Sequence, residues 1–168
     1  MNPEAAQPIE NPAALSASAR RVQEAIAARG FEFRVFELAI PVRTAAEAAA
    51  AVGCEVAQIA KSIIFRAQSG RGVLVITSGA NRVNEVRIAA LLGEPIGRAD
   101  AAFVREVTGF AIGGIPPLGH ATPLATFIDQ DLLALGRIWP AAGHPNALFE
   151  LDPRQLPALS GGTLAEVT

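Results

Sequence analysis

The 168-residue chain holds one lysine, Lys61, among fourteen basic side chains, the other thirteen being arginine. Arginine is a planar, permanently charged fork, whereas lysine is a compact ammonium on a flexible stem, so the two are not interchangeable in a fitted site. A composition rich in Ala, Gly, Arg and Pro favours arginine on an ordinary surface, which makes Lys61 the exception. Other groups able to move protons or attack a carbonyl are few: His120, His144, the single cysteine Cys54, some serines, and carboxylates such as Asp129. A glycine- and proline-rich run offers a different chemistry. Gly113, Gly114 and Gly119 lack a side chain, so their backbone groups can approach a ligand closely. Pro116 and Pro117 stiffen the same segment. Backbone N–H groups there could stabilise an oxyanion, and His120 follows directly. His144 lies in the turn Gly143-His-Pro-Asn146, where an imidazole can be exposed.

Familiar catalytic signatures do not fit. A phosphate-binding loop needs Gly immediately before the lysine and again five residues earlier; those positions are Ala60 and Glu55. The residues flanking Ser78 are Ile76 and Ala80, not the glycines of a nucleophile elbow. Gly113-Gly114 lacks dinucleotide-binding spacing. No His/Cys/carboxylate spacing suits a metal, so neither metal nor cofactor is expected. A Ser–His–Asp set drawn from Ser62 or Ser78, a histidine and Asp129 stays open, although no local signature marks it.

Composition narrows the classes further. The net charge is −2, so bulk electrostatic gripping of nucleic acid is excluded and any such contact must be local; DNA is not an expected partner. One cysteine forbids an internal disulfide and fits a reducing cytoplasm. The first residues carry no basic start or apolar stretch, so they do not read as a secretory leader. The longest uncharged run, Val107 to Ile128, is 22 residues, but repeated Gly and Pro break it, and no membrane association is expected. A long apolar loop in a domain of this size is a functional candidate.

The elements that position these residues are legible from caps and periodicity. Ser16 to Arg29 predicts a helix ended by Gly30. Phe31–Leu38 predicts a half-buried strand. Thr44 caps an alanine-rich helix, Ala45–Val52, ended by Gly53, and Val56–Ala60 predicts a helical turn. Ser62–Phe65 and Val73–Thr77 predict a hairpin of buried strands with Lys61 at its start. Helices are expected over Asn84–Leu92 and from Asp100 or Ala101 to Val107, each followed by glycine. Strands are expected over Leu124–Ile128, Arg137–Ala142, Ala147–Leu151 and Thr163–Val167, with a short helical turn at Asp129–Leu133 and a helix from Pro153 capped by Asp152. The sum is an α+β fold: a flexible arm over residues 1–15, then one domain over 16–168, with a mixed, mostly antiparallel sheet flanked by helices.

Several segments also follow a familiar order. They are Ala60-Lys-Ser-Ile-Ile-Phe65, the strand Gly72 to Gly79, and Asn81-Arg-Val-Asn84 before a helix ending Leu91-Leu-Gly93. Then come Thr108 to Gly119, the strand ending in Asp129, and Ala141-Ala-Gly143 before Phe149-Glu-Leu151. From about Thr44 to Val167 the chain resembles the YbaK/prolyl-tRNA synthetase editing-domain superfamily. The resemblance implies a free-standing aminoacyl-tRNA deacylase acting in trans. Its substrate would be a small amino acid such as Ala, Cys or 2-aminobutyrate misattached to tRNA(Pro), with prolyl-tRNA synthetase as a possible partner. It puts the functional lysine at Lys61, the substrate loop at Gly113 to Gly119 and a polar group at His144. Ser62, Pro116, Pro117, Gly119, His120, Asp129 and Gly143 become substrate-binding candidates. Arg66, Arg82 and Arg87 are candidates for the tRNA acceptor end, as are Arg71 and Arg98. A non-catalytic tRNA- or synthetase-binding module of the same fold is the alternative.

Overall fold

A computed structural model describes residues 15–168. The expected arm over 1–15 therefore lies outside the described residues except for Leu15, which is 3% exposed and belongs to the core. The chain runs α1 (Ala17–Ala28), β1 (Phe36–Glu37), α2 (Ala45–Val52), β2 (Ile59–Ala67), β3 (Gly72–Ser78), α3 (Glu85–Leu92) and β4 (Ile96–Arg98). It continues with α4 (Ala101–Thr108), β5 (Ala125–Asp129), β6 (Trp139–Pro140), β7 (Ala147–Leu148), α5 (Leu156–Ser160) and β8 (Thr163–Ala165).

Helix starts fall where a side-chain oxygen can accept an orphan backbone N–H. Ser16, Thr44, Asn84 and Asp100 each accept from the residue three positions on. Helix ends at Gly53, Gly93 and Gly109 share a left-handed backbone with φ of 77°, 90° and 80°, which glycine adopts without a Cβ penalty. Short 3-10 turns occur at Val56–Gln58, Gln130–Ala134 and Pro153–Gln155.

The main sheet has the order β4-β2-β3-β5-β8, with β6 attached to β2. The β2–β3 hairpin is antiparallel over seven residue pairs, from Ala60↔Ser78 to Arg66↔Gly72, and β4 pairs antiparallel with β2. Antiparallel pairing stops there: β5 joins β3, β8 joins β5 and β6 joins β2 in parallel. The mixed α+β sheet is as the sequence indicates, but its β5–β8 half is parallel, because the chain crosses over through helices and the long loop instead of turning back tightly. On one face α1, α4 and α5 bury Val22, Ile26, Ile64, Leu74, Ile76 and Leu156; on the other α3 and the C-terminus bury Phe65, Val73, Val75, Ile88 and Val167. With both faces covered, β3 is buried throughout.

Three local readings change. Of the expected Phe31–Leu38 strand, Phe36–Glu37 pairs with β7 and Leu38 forms a single bridge, while Phe31 to Val35 join no strand among the described residues. Phe31 and Phe33 stack on each other, and Phe33 on Phe149, while the Gln23 side chain donates to the Phe33 carbonyl and accepts from the Val35 N–H, so rings and a side-chain clamp hold that segment instead of a ladder. The expected strands over Arg137–Ala142 and Ala147–Leu151 shrink to β6 and β7, with single bridges Ile138↔Leu151 and Ala141↔Leu148. β4 had no sequence signal, being three residues long with glycine at its centre.

Candidate active site

Strand β2 is the foundation of the site. On one side it pairs continuously with β3. On the other, β6 meets only Ile59 and Ala60, and β4 meets only Phe65 to Ala67. Residues 61–64 face no strand across that edge. The Gly79 N–H donates to the Ile59 carbonyl at 2.7 Å, and the Ala67 N–H to the Arg71 carbonyl at 2.9 Å, so odd-numbered residues of β2 bond the hairpin. By two-residue alternation the backbone N–H and C=O of Ser62 turn to the open edge.

A cavity of about 470 Å³ lies along this edge. Its floor is Ile59 to Ile63, one wall is Val42 to Ala45 and Ala48 at the start of α2, and the other is Ile112, Gly113 and Ile115, with Ala141, Pro145 and Leu148 closing it. A satellite core of Leu38, Val42, Ala48, Ala49, Ile59 and Leu148 fixes α2 in place. Because α2 presents alanines, space remains between helix and strand. Lys61 stands half-buried on the floor and makes no ion pair among the described residues. The Ser62 hydroxyl oxygen is buried and has no hydrogen-bond partner there. An unpaired cation and an orphan hydroxyl thus occupy successive positions of β2, on opposite faces of the strand, at a cleft that Arg43 and Thr44 also line. Such groups cost free energy when left unmatched, and they mark where a polar ligand would be held.

The comparisons with known proteins point the same way. The family model of the aminoacyl-tRNA editing domain matches residues 40–159, a span that contains the whole cavity. The chain belongs to the aminoacyl-tRNA editing-domain family. The Bacillus subtilis protein YwhH is 29% identical over 70% of this chain and 74% of its own. The proline–tRNA ligase of Bacillus licheniformis is 37% identical over 56% of this chain; the match spans only 16% of that enzyme. A solved structure described as a candidate trans-editing enzyme for prolyl tRNA synthetase superposes with a TM-score of 0.89 at 48% identity, covering 92% of this chain and 99% of that one.

Within this editing domain the sequence candidates divide. Lys61, Ser62 and Gly113 line the cavity. Lys61 is the third residue of β2, opposite Thr77, and so sits beside a gap in the sheet edge and not at the sheet end. Gly113 is exposed with φ +94°, a conformation few other residues adopt.

The remaining loop residues support the wall from behind. Gly114 donates to the Ala111 carbonyl and accepts from the Gly143 N–H at 2.8 Å, so both its backbone groups are engaged. A Cβ on Gly114 would lie 2.8 Å from the His144 backbone, and one on Gly143 would lie 2.6 Å from the Ser18 carbonyl oxygen. These glycines allow backbone to pack on backbone. Pro116 and Pro117 are buried. His144 accepts from the Asn146 N–H through Nδ1 at 3.1 Å and shapes its own turn. The His120 Nε2 lies 2.7 Å from the Pro116 carbonyl and donates to it, clamping the loop, while a Cβ on Gly119 would meet Ala25 of α1. Burial pushes the His120 pKa down, so the ring is neutral at physiological pH. Neither histidine lines the cavity.

Asp129 is 1% exposed and belongs to a separate network. Its Oδ2 accepts from the Thr77 hydroxyl, the Ser78 N–H and the Asn81 amide, and its Oδ1 from the Asp131 N–H, all within 3.0 Å. It ties β3, β5 and the following turn together. Arg66 stacks over Phe103 at 4.9 Å, Arg87 pairs with Glu166 at 3.2 Å, and Arg82 is exposed; none of the three lines the cavity. Burial and the neighbouring Glu55 push the Cys54 thiol up, away from thiolate chemistry. Among the described residues no group of His, Cys, Asp and Glu could hold a metal ion, and no helix is long and apolar enough to cross a membrane.

Sequence reading missed Arg43, Ala45, Ala48, Ile63, Ile112 and Ile115 as cavity walls. The alanine run of α2 was the available signal, since small side chains on an apolar helix face leave room for a ligand.

Proposed function

We propose that the chain is an aminoacyl-tRNA deacylase acting in trans, which hydrolyses the ester between a small, wrongly attached amino acid and the terminal adenosine of tRNA(Pro). The observation that carries this is the lone, unpaired Lys61 beside the open edge of β2, within a cavity of about 470 Å³. Small-molecule sites commonly measure about 300–1,000 Å³, and an aminoacylated nucleoside falls in that class. The neighbour described as a candidate trans-editing enzyme for prolyl tRNA synthetase supports action in trans on tRNA released by that synthetase.

The chemistry needs no covalent nucleophile, since an aminoacyl ester is already activated. The Lys61 ammonium holds the ribose end of the substrate. The Ser62 backbone and hydroxyl, with the Gly113 backbone opposite, bind the amino group and polarise the ester carbonyl. A positioned water attacks, assisted by the vicinal ribose hydroxyl, and the departing ribose oxygen takes a proton. Size supplies selectivity. A synthetase gains only about 1–3 kcal/mol per methylene, so alanine or 2-aminobutyrate escapes its first sieve. The walls Ala45, Ala48, Ile63, Ile112 and Ile115 form the second sieve, admitting these and excluding the proline ring.

A deacylation panel of Ala-, Cys-, Ser-, 2-aminobutyryl- and Pro-tRNA(Pro) tests the reading. Rapid hydrolysis of one or more small-residue esters with Pro-tRNA(Pro) spared is expected. Turnover of none would overturn the enzyme and leave a tRNA- or synthetase-binding module.

A further inference from the structure

A second cavity, of about 320 Å³, continues from the first along the same open edge of β2. The two share Ser62, Ile63, Ile112 and Ile115 as a common partition. Beyond it the second chamber has apolar walls, including Ile64, Phe65 and Val104, and two charged groups, Glu85 at the start of α3 and Arg98 at the end of β4. Both are exposed at the rim of the chamber, and neither joins an ion pair among the described residues. Arg98 pairs with Phe65 across the ladder, four residues along β2 from Lys61, or about 13 Å at strand rise. Half-buried Lys61 and exposed Arg98 thus stand without ion pairs at separate points of one groove, with exposed Arg43 at the rim of the first chamber, in a chain whose net charge is −2.

A ligand matching the second chamber presents a flat apolar face to its walls, an anion to Arg98 and a hydrogen-bond donor to Glu85. Arginine takes phosphate oxygens through its fork, and a carboxylate accepts from the exocyclic amine of cytosine. We propose that this chamber is a subsite for the nucleotide preceding the terminal adenosine, the penultimate cytidine of the tRNA 3′ end. The Arg98 guanidinium holds the phosphate joining the two nucleosides, and the Glu85 carboxylate accepts from the cytosine amine. The assignment rests on the deacylase reading of the first cavity and extends it: the groove measures a dinucleotide, with the ester in the first chamber. The remaining arginines on the surface are then not needed for the terminal contacts.

The test compares alanyl esters of adenosine, CpA and UpA. The wild-type chain is expected to hydrolyse alanyl-CpA with kcat/KM about ten-fold above alanyl-adenosine, the scale of one charge-assisted contact. Arg98→Ala should erase that preference, and Arg98→Lys should keep part of it. Glu85→Gln should narrow the gap between CpA and UpA. A CpA preference undiminished in Arg98→Ala would overturn the subsite. If none of the three esters is hydrolysed, the deacylase reading fails, and calorimetric titration with unesterified CpA and adenosine decides the subsite alone. Tighter CpA binding that Arg98→Ala removes supports it; equal binding of the two overturns it.

Discussion

Two polar places lie on either side of one rung of the hairpin, Lys61 opposite Thr77, and they are built in opposite ways. On the β3 side, the Thr77 hydroxyl donates a hydrogen bond to Asp129, whose two oxygens accept from four donors and are closed off from solvent. On the β2 side, the Lys61 ammonium has no ion-pair partner among the described residues and the neighbouring Ser62 hydroxyl has no hydrogen bond. A buried group whose hydrogen-bonding capacity is matched by the chain is part of the scaffold. One left unmatched destabilises the free protein and is compensated by whatever binds. The contrast separates structure from function more sharply than residue type, since an aspartate is the commoner catalytic group.

Mutations can break or sharpen this contrast, and the largest effect should fall on the closed side. Asp129→Ala strands four donors, two of them backbone N–H groups; about 3 kcal/mol of stability should be lost, a fall in Tm of roughly 6–12 °C by calorimetry. On the open side, Lys61→Ala should lower kcat/KM for deacylation about 100-fold, some 2.7 kcal/mol of transition-state stabilisation, with Tm unchanged. Lys61→Arg should fall between, since charge is kept and shape is not. Full activity in Lys61→Ala would remove the basis for the active-site assignment. Ser62→Ala removes an orphan hydroxyl, so Tm should hold or rise, by no more than about 1 kcal/mol of stability, while kcat/KM drops about ten-fold. A clear loss of stability instead would show that the hydroxyl is matched in the free protein.

The smallest effect concerns His120. Its folded-state pKa is lowered by burial, so the unfolded chain takes up the proton first as pH falls through the ordinary value near 6.5. Stability from the neutral ring is therefore full above that value and declines on acidification toward the folded pKa. His120→Gln should show a smaller drop in Tm between pH 8 and pH 5 than the wild type, with deacylation little changed because the ring is off the cavity.

The features legible in the sequence were those determined within a few residues. The helix starts near Ser16, Thr44, Asn84 and Asp100 and the glycine stops at positions 53, 93 and 109 needed only local spacing. The hairpin showed itself as two β-branched runs around Ser69-Gly70-Arg71-Gly72. Lys61 stood out by composition and Gly113 by its loop. What escaped depends on pairing between distant segments. β4 is too short for a periodic signal, and the parallel docking of β5 on β3 has no local mark. His120, His144 and Asp129 drew notice for their chemistry, yet the fold turns each inward to bond the backbone. Ile112 and Ile115 read as loop hydrophobics, although Ile112 remains 58% exposed at the cavity mouth.

The interruption in the edge of β2 has one more consequence, for association in a crowded cell. An unpaired strand edge is a template on which another chain can add a strand, and long ones invite aggregation. Here the free stretch is four residues, about 13 Å, and is blocked at both ends by β6 and β4. That length is below the commonest strand length of about five or six residues. A second copy could not extend a ladder into it without displacing two elements, whereas a slender chain end can enter sideways. The fold can thus keep a sticky backbone open to a nucleic-acid terminus while withholding it from other proteins.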